Sequence, residues 1–289
     1  MKALQIVTDS AVDMSKEESK LYGVQIVPLS IIFPDGPVSS EDLTPDEFYD
    51  RLRAIEPVIP TTSMPSPGYF ADLFRSILEQ GVEPLAIHIS SGLSGTIQAA
   101  RTGAQEAGLD ITFVDTMTLS GGQRFQVLAA AMAARKGMTK PAILEKLDQI
   151  RAATEVIYTL ETLKYLQHGG RIGRVSALMA SLLDLKPVIH VDHEDGKYST
   201  AGKARSIRRA LDSLVTFLEE RYTREKPLWI SVLHGQYEEQ ANILAEKLHQ
   251  QLNIARSEIL RISPVLGVHT GPGIVGVAAI PMEVIQDLL

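Results

Sequence analysis

The chain has 289 residues, 45% hydrophobic and 22% charged, with a net charge of -7 and no cysteine. This is a globular composition that excludes disulfides, thiol nucleophiles and thiolate-bound metals, and its acidity argues against general nucleic-acid binding. The length is past the point where one core keeps growing, so two domains are expected.

No apolar run nears the ~18 residues of a membrane span. The apolar start Leu4–Val7 is too short for a secretory signal and soon meets Asp9, so a cytoplasmic protein is expected. Taken in order, Leu4 to Val7 reads as a strand ending on Thr8-Asp9-Ser10, followed by a helix over Ser15 to Tyr22 that Gly23 closes. Val24 to Phe33 reads as a second strand, interrupted by Pro28, before an Asp35-Gly36 turn. Thr44-Pro45-Asp46-Glu47 is a capping box that opens a helix to Ile55. Pro57 to Pro67 reads as a loop, and Ser66-Pro67 starts the next helix, to Gln80. Leu85 to Ile89 is a buried strand, Ile97 to Ala107 a helix, Ile111 to Val114 a strand and Gly121 to Arg135 a helix. Strand alternating with helix predicts a three-layer α/β/α domain on a parallel sheet over residues 1–152, with ligands bound beyond the carboxyl ends of its strands.

The helix from Lys140 to Arg151 leads to a second α/β domain, residues 153–289, with a mixed sheet. It begins with a strand over Val156 to Leu160 and helices over Glu161 to His168 and Val175 to Leu183. A hairpin follows from Pro187 to Thr200, with His193-Glu194-Asp195-Gly196 at its tip. A helix from Ser206 to Arg221, a strand from Leu228 to Leu233, a helix from Glu238 to Leu252, and strands over Glu258 to Ile262 and Ile274 to Ile280 complete it.

The stretch Ser90-Ser91-Gly92-Leu93-Ser94-Gly95-Thr96 joins a strand to a helix and gathers four hydroxyls and two glycines. Such a turn aims hydroxyls and backbone N–H groups at a helix N-terminus, where an anion is favoured. It lacks the Gly-Lys-Ser/Thr ending of a phosphate-binding loop and the second glycine of a nucleophile elbow. Thr61-Thr62-Ser63-Met64-Pro65 is a second hydroxyl cluster, read either as a rigid turn or as a further donor to the same anion. His269 lies in Gly267-Val268-His269-Thr270-Gly271, a glycine-rich turn whose backbone freedom would let the imidazole meet a head group. Gly169-Gly170-Arg171-Ile172-Gly173-Arg174 is a helix stop followed by arginines suited to carboxylate or phosphate. From Lys197 to Arg209 there are five basic residues and no acid, either a solvated face or a docking surface. Asp9 and Asp115 read as caps to loop N–H groups, and no metal site is expected. On the residues alone, this is an α/β protein that captures a small anion. A serine hydrolase or acyltransferase, with Ser94 as nucleophile, His269 as base and Asp9 orienting it, stands as an alternative.

Thr8-Asp9-Ser10, Thr62-Ser63 with Pro65, Ser90 to Thr96, Gly169-Gly170-Arg171-Ile172, Leu185-Lys186-Pro187 and His269-Thr270-Gly271 occur in the order found in the DegV family of bacterial fatty-acid-binding proteins, which this chain resembles over essentially its whole length. The resemblance implies two α/β domains with a long-chain fatty acid between them. It implies that Thr62, Ser94 and His269 bind the carboxylate, supported by Ser63, Gly95, Thr96 and Thr270. It further implies that Arg171, Arg174 and Arg205 form a docking surface for an ATP-dependent fatty acid kinase subunit, which would convert the carboxylate to an acyl phosphate. This chain would then be no enzyme, would need no cofactor, and would touch membranes transiently to exchange lipid. A lipid sensor with a different partner is the nearest alternative. Met64 stands where the family often has Gln, which removes a polar donor beside the head group.

Overall fold

The computed structural model describes residues 3–181 and 185–289. β1 (Leu4–Asp9) leads to α1 (Lys16–Tyr22), capped by the Ser15 hydroxyl and closed by Gly23 at φ 67. β2 (Gln25–Val27) ends at Pro28, and the chain then leaves that sheet. Having no N–H, proline cannot continue a ladder. β3 (Ser30–Phe33) and β4 (Gly36–Ser39) form a hairpin, and α2 (Pro45–Ala54) carries the complete capping box of Thr44 and Glu47. β5 (Thr61–Ser63) pairs with β3, making a separate three-stranded sheet in the order β4-β3-β5. Thr61–Ser63 is therefore strand, not the loop its prolines suggest.

α3 (Pro67–Glu79), β6 (Glu83–His88), α4 (Thr96–Glu106) and β7 (Thr112–Asp115) complete the N-terminal part, whose parallel sheet runs β2-β1-β6-β7. α5 (Ser120–Arg135) and α6 (Lys140–Ala153) follow. β8 (Glu155–Leu160), α7 (Lys164–His168), β9 (Lys186–Val191), β10 (Tyr198–Ala204), α8 (Ile207–Glu219), β11 (Leu228–His234), α9 (Glu238–Gln251), β12 (Ile254–Arg261), α10 (Pro264–Thr270) and β13 (Ile274–Pro281) make up the rest. The second sheet is six-stranded and mixed, in the order β10-β9-β8-β13-β11-β12, with β11 and β12 parallel and the other neighbours antiparallel. The α/β class, with a parallel sheet followed by a mixed one, is as the alternation predicts.

α5 holds the two sheets together. Every residue from Ser120 to Ala133 is buried, so the helix has no solvent face before its last two residues. One apolar core runs through it, from Ile6, Leu85 and Ile87 of the first sheet to Val156, Ile189 and Trp229 of the second. Each of its buried polar residues makes at least one hydrogen bond or ion pair, while the Oε1 atoms of Gln123 and Gln126 have no partner. Gln123 donates to Thr8 (3.0 Å) and Asp9 (3.2 Å), Gln126 to the Thr116 carbonyl (3.0 Å), and Arg124 pairs with Glu18 and Glu258. α8 and α9 cover the opposite face of the mixed sheet with a second core built around Leu211, Leu214, Ile230 and Val277.

Two further differences bear on the site. Gly173–Ser181 is a 3-10 helix where the pattern suggests a helix over Val175 to Leu183, and Leu182 and Leu183 lie outside the described residues. The glycine-rich stretch around His269 is the helix α10.

Candidate functional site

α10 is a short helix that tertiary contacts hold in place. Pro264 stands in its first turn, and Gly271, at φ 73, ends it. Gly267 lets it lie tightly on α2, where a Cβ would fall 2.6 Å from the Phe48 ring and 3.0 Å from the Tyr49 hydroxyl. Asp13, itself at φ 49, fixes the start of the helix by accepting from the Ser263 N–H at 2.6 Å and from the Ser120 hydroxyl. Burial lifts the Asp13 carboxyl to about 6 against these bonds. Thus the glycines near His269 serve close packing, and the imidazole is carried on a fixed element without the backbone freedom its surroundings suggest.

His269 is buried and its Nε2 stands 2.8 Å from the Thr62 hydroxyl. The other face of the ring rests on α7's end, where a Cβ on Gly169 would come within 2.1 Å of Nδ1. Nδ1 has no hydrogen-bond partner. Burial, then the charge of Arg171 and the neighbouring His168, lower the imidazole to about 4, so it is neutral near pH 7. With no acceptor to receive a proton at Nδ1, the ring proton is inferred to sit on Nε2 and to be donated to Thr62. That leaves the Thr62 O–H free to donate elsewhere.

β5, which carries Thr62, borders the hydroxyl-rich turn. The Met64 thioether lies over Gly95, where a Cβ would meet its sulfur at 2.9 Å. Ser94 and Thr96 hydroxyls are 2.8 Å apart, and Ser94 also accepts from the Thr96 N–H at 3.3 Å. Thr96 is buried as the first residue of α4, with Gly95 as its cap, while Ser94 and Thr62 are half-buried and Ser63 is exposed. Asp9 and Asp115 are loop caps. Asp9 accepts from the Ala11 and Ile89 N–H groups (3.1 and 2.9 Å), and Asp115 from Ser91 and Met117 (3.2 and 3.0 Å).

The three arginines differ in setting. Arg171 is half-buried and joins the two turns, donating to the carbonyls of Gly169 (2.6 Å) and Leu93 (3.3 Å). Arg174 is taken by the β9–β10 hairpin tip, bonded to Asp192 at 3.1 Å and Asp195 at 2.9 Å. Arg205 is exposed between β10 and α8. The hairpin tip in turn touches the hydroxyl-rich turn, with Ser90 donating to the Gly196 carbonyl at 2.8 Å.

Beyond α10 lies an apolar slit with a free volume of about 30 Å³, lined by Leu119, Val156, Tyr158, Leu233, Ile274 and, from α10 itself, Leu266 and Thr270. Thr270 turns its hydroxyl back to the Leu266 carbonyl at 3.0 Å. α10 therefore carries the imidazole of the polar corner and one wall of the slit on adjacent residues. Sequence reasoning did not single out Asp13, Tyr158 or the wall at Gly169. Asp13 stands at a left-handed position, which Asp tolerates, and that is the only local signal any of them leaves.

A hydrolase arrangement is not assembled. His269 faces Thr62, Ser94 faces Thr96, and Asp9 is bonded to Nδ1 of His88 at 2.9 Å. Among the described residues no group of three His, Asp or Glu side chains could hold a metal ion, and no helix is long and apolar enough to cross a membrane.

A family model for DegV, described as uncharacterised proteins, matches residues 3–282. A DegV domain-containing protein of Deinococcus radiodurans is 37% identical over 281 residues, covering 97% of this chain and 96% of its own. A Thermus thermophilus structure described as fatty acid binding of a DegV family protein superposes with a TM-score of 0.89 at 33% identity, covering 97% of this chain and all of its own. A stearic-acid-binding protein of Eubacterium ventriosum superposes with a TM-score of 0.87 at 28% identity, over 97% and 98% of the two chains.

Proposed function

The chain belongs to the DegV family, and from that premise we propose that it binds a long-chain fatty acid and presents the carboxylate to a partner kinase. The observation that carries this reading is the Thr62–His269 pair, 2.8 Å apart, with His269 on the helix that also walls the apolar slit. The carboxylate accepts from the hydroxyls of Thr62 and Ser94. His269 donates to Thr62 and so turns that hydroxyl toward the anion. A buried carboxylate costs several kcal/mol unless it is hydrogen-bonded, which the hydroxyl cluster answers without a buried cation. Thr96 and Thr270 brace the two sides, and Gly95 leaves room for Met64.

The acyl chain enters the slit and spreads its lining side chains. At ~0.8 kcal/mol per buried CH₂, a chain of ~16 carbons gains enough to be retained through purification. Because Thr62 and Ser94 are only half-buried, a second protein can reach the carboxylate. The kinase transfers the terminal phosphoryl of ATP to a carboxylate oxygen, giving an acyl phosphate and ADP. This chain, with no phosphate-binding loop, holds the substrate. The Met64 side chain, 49% accessible and lying over Gly95, suits brief membrane contact during lipid exchange. ATP supply to the kinase places the reaction in the cytoplasm.

Denaturing extraction of the purified protein, with mass spectrometry of what is released, tests the first step. A stoichiometric fatty acid is expected. An empty extract, with no uptake of added fatty acid, overturns the reading. Reconstitution with a candidate kinase and ATP tests the second step through the acyl-phosphate product.

A further inference from the structure

Of the polar side chains that line the slit, Ser120 is committed to Asp13 and Thr270 to the Leu266 carbonyl. Tyr158 is different. It is 5% exposed, and its hydroxyl is buried without a hydrogen-bond partner. Its ring stands edge-on to that of Tyr198, also in the lining, with centroids 5.6 Å apart at 81°. The two phenols perturb one another without hydrogen-bonding geometry. Burial raises Tyr158 well above its ordinary value and Tyr198 to about 12, so both keep their protons.

A hydroxyl left unpaired in an interior is costly and uncommon. Phenylalanine would fill the same space without that cost, so the oxygen calls for an explanation. Apart from the neighbouring Tyr198 hydroxyl, the surrounding lining of Leu119, Val156, Leu233 and Ile274 offers it nothing polar.

We infer that the slit is built for an oxygenated acyl chain, one with a hydroxyl or keto group along its length, and that Tyr158 selects it by hydrogen bonding to that oxygen. The inference rests on the fatty-acid reading of the same site and names the class of fatty acid.

The test is displacement of a fluorescent fatty acid by stearic acid and by monohydroxystearic acids that differ only in hydroxyl position. One of the positional isomers is expected to bind about tenfold more tightly than stearic acid, the worth of one buried hydrogen bond. In Tyr158→Phe the ratio of the two affinities should fall to about one, with thermal unfolding checking that the variant is folded. The wild-type ratio tests the inference whether or not the variant folds. Stearic acid bound with no hydroxylated isomer preferred overturns the inference and leaves the fatty-acid reading standing. A preference that persists in Tyr158→Phe overturns the role of Tyr158. Failure of every acid to displace the probe overturns the fatty-acid reading and this inference with it.

Discussion

Thr62 and His269 are 207 positions apart in sequence and 2.8 Å apart in space. Thr62 is on an edge strand of the small sheet and His269 on the last turn of α10, so their meeting depends on how α10 docks against α2 and β3.

In the proposed reading His269 acts through Thr62, so their effects on binding should not add. Thr62→Ala and Ser94→Ala each remove a donor to a charged group and should weaken fatty-acid binding roughly tenfold to a hundredfold. His269→Ala should cost about three- to tenfold, and the Thr62→Ala/His269→Ala double variant should bind no worse than Thr62→Ala alone. Competitive displacement of a fluorescent fatty acid measures all four. Full additivity would mean that His269 meets the ligand independently.

The same histidine should shape the pH dependence of stability. His269 takes a proton near pH 6.5 when unfolded but only near 4 when folded. Between those values the unfolded chain binds more protons, so stability is lost as pH falls through the window, by roughly 3 kcal/mol in all. Asp13 works in the opposite direction. Its folded value is about 6 against 3.8 unfolded, so the native state binds more protons and gains stability as pH falls from 6 toward 4. The two contributions largely cancel. Relative to wild type, His269→Gln should gain stability on acidification from pH 7 to 4.5, and Asp13→Asn should lose it more steeply. Melting temperatures across that range decide it, and parallel profiles for all three proteins would remove both assignments.

Features fixed within a few neighbours are legible in the sequence. The Thr44–Glu47 capping box, the Ser15 and Gly23 ends of α1 and the Asp9 and Asp115 loop caps all follow from residue type and spacing. The hydroxyl-rich turn between β6 and α4 is legible for the same reason. β5 is not, because Thr61–Ser63 is too short for a period and is a strand only through β3, some thirty residues earlier. α10 reads as a turn because Gly267 and Gly271 weaken its helical propensity. The contacts with Phe48 and Tyr49 that outweigh this come from α2. Arg174 is expected on a docking face, yet its partners Asp192 and Asp195 lie across a hairpin whose register no local signal sets.

Two glycines at the site should respond unequally to one added methyl. In Gly169→Ala the Cβ would stand 2.1 Å from Nδ1 of His269, and the imidazole must turn away from Thr62 to relieve it. Neither glycine has a positive φ, so the effect is steric. Gly169→Ala should lower both stability, by about 1–3 kcal/mol, and fatty-acid affinity. In Gly95→Ala the Cβ meets only the flexible end of Met64, at 2.9 Å from sulfur and 3.1 Å from the terminal methyl, in an exposed side chain. That variant should unfold within about 0.5 kcal/mol of wild type. Denaturant unfolding paired with ligand displacement separates the two cases.

Docking of the proposed kinase partner should depend on Arg205 more than on Arg174. Lys203, Arg205, Arg208 and Arg209 are all exposed at the corner of β10 and α8, so an acidic partner can meet them without breaking a buried contact. The Arg174 guanidinium is already shared between two aspartates, and a partner must first displace them. Arg205→Glu should therefore slow acyl-phosphate formation by about tenfold or more, chiefly through slower association, and the loss should shrink as salt is raised. Arg174→Ala should change it less, and should cost little stability because the pairs are partly exposed. The bound lipid recovered from Arg205→Glu should match wild type, since Arg205 lies outside the hydroxyl corner. A variant that lost its lipid would place Arg205 in the ligand site, and equal loss of product from both variants would mean that the hairpin clamp opens when the partner docks.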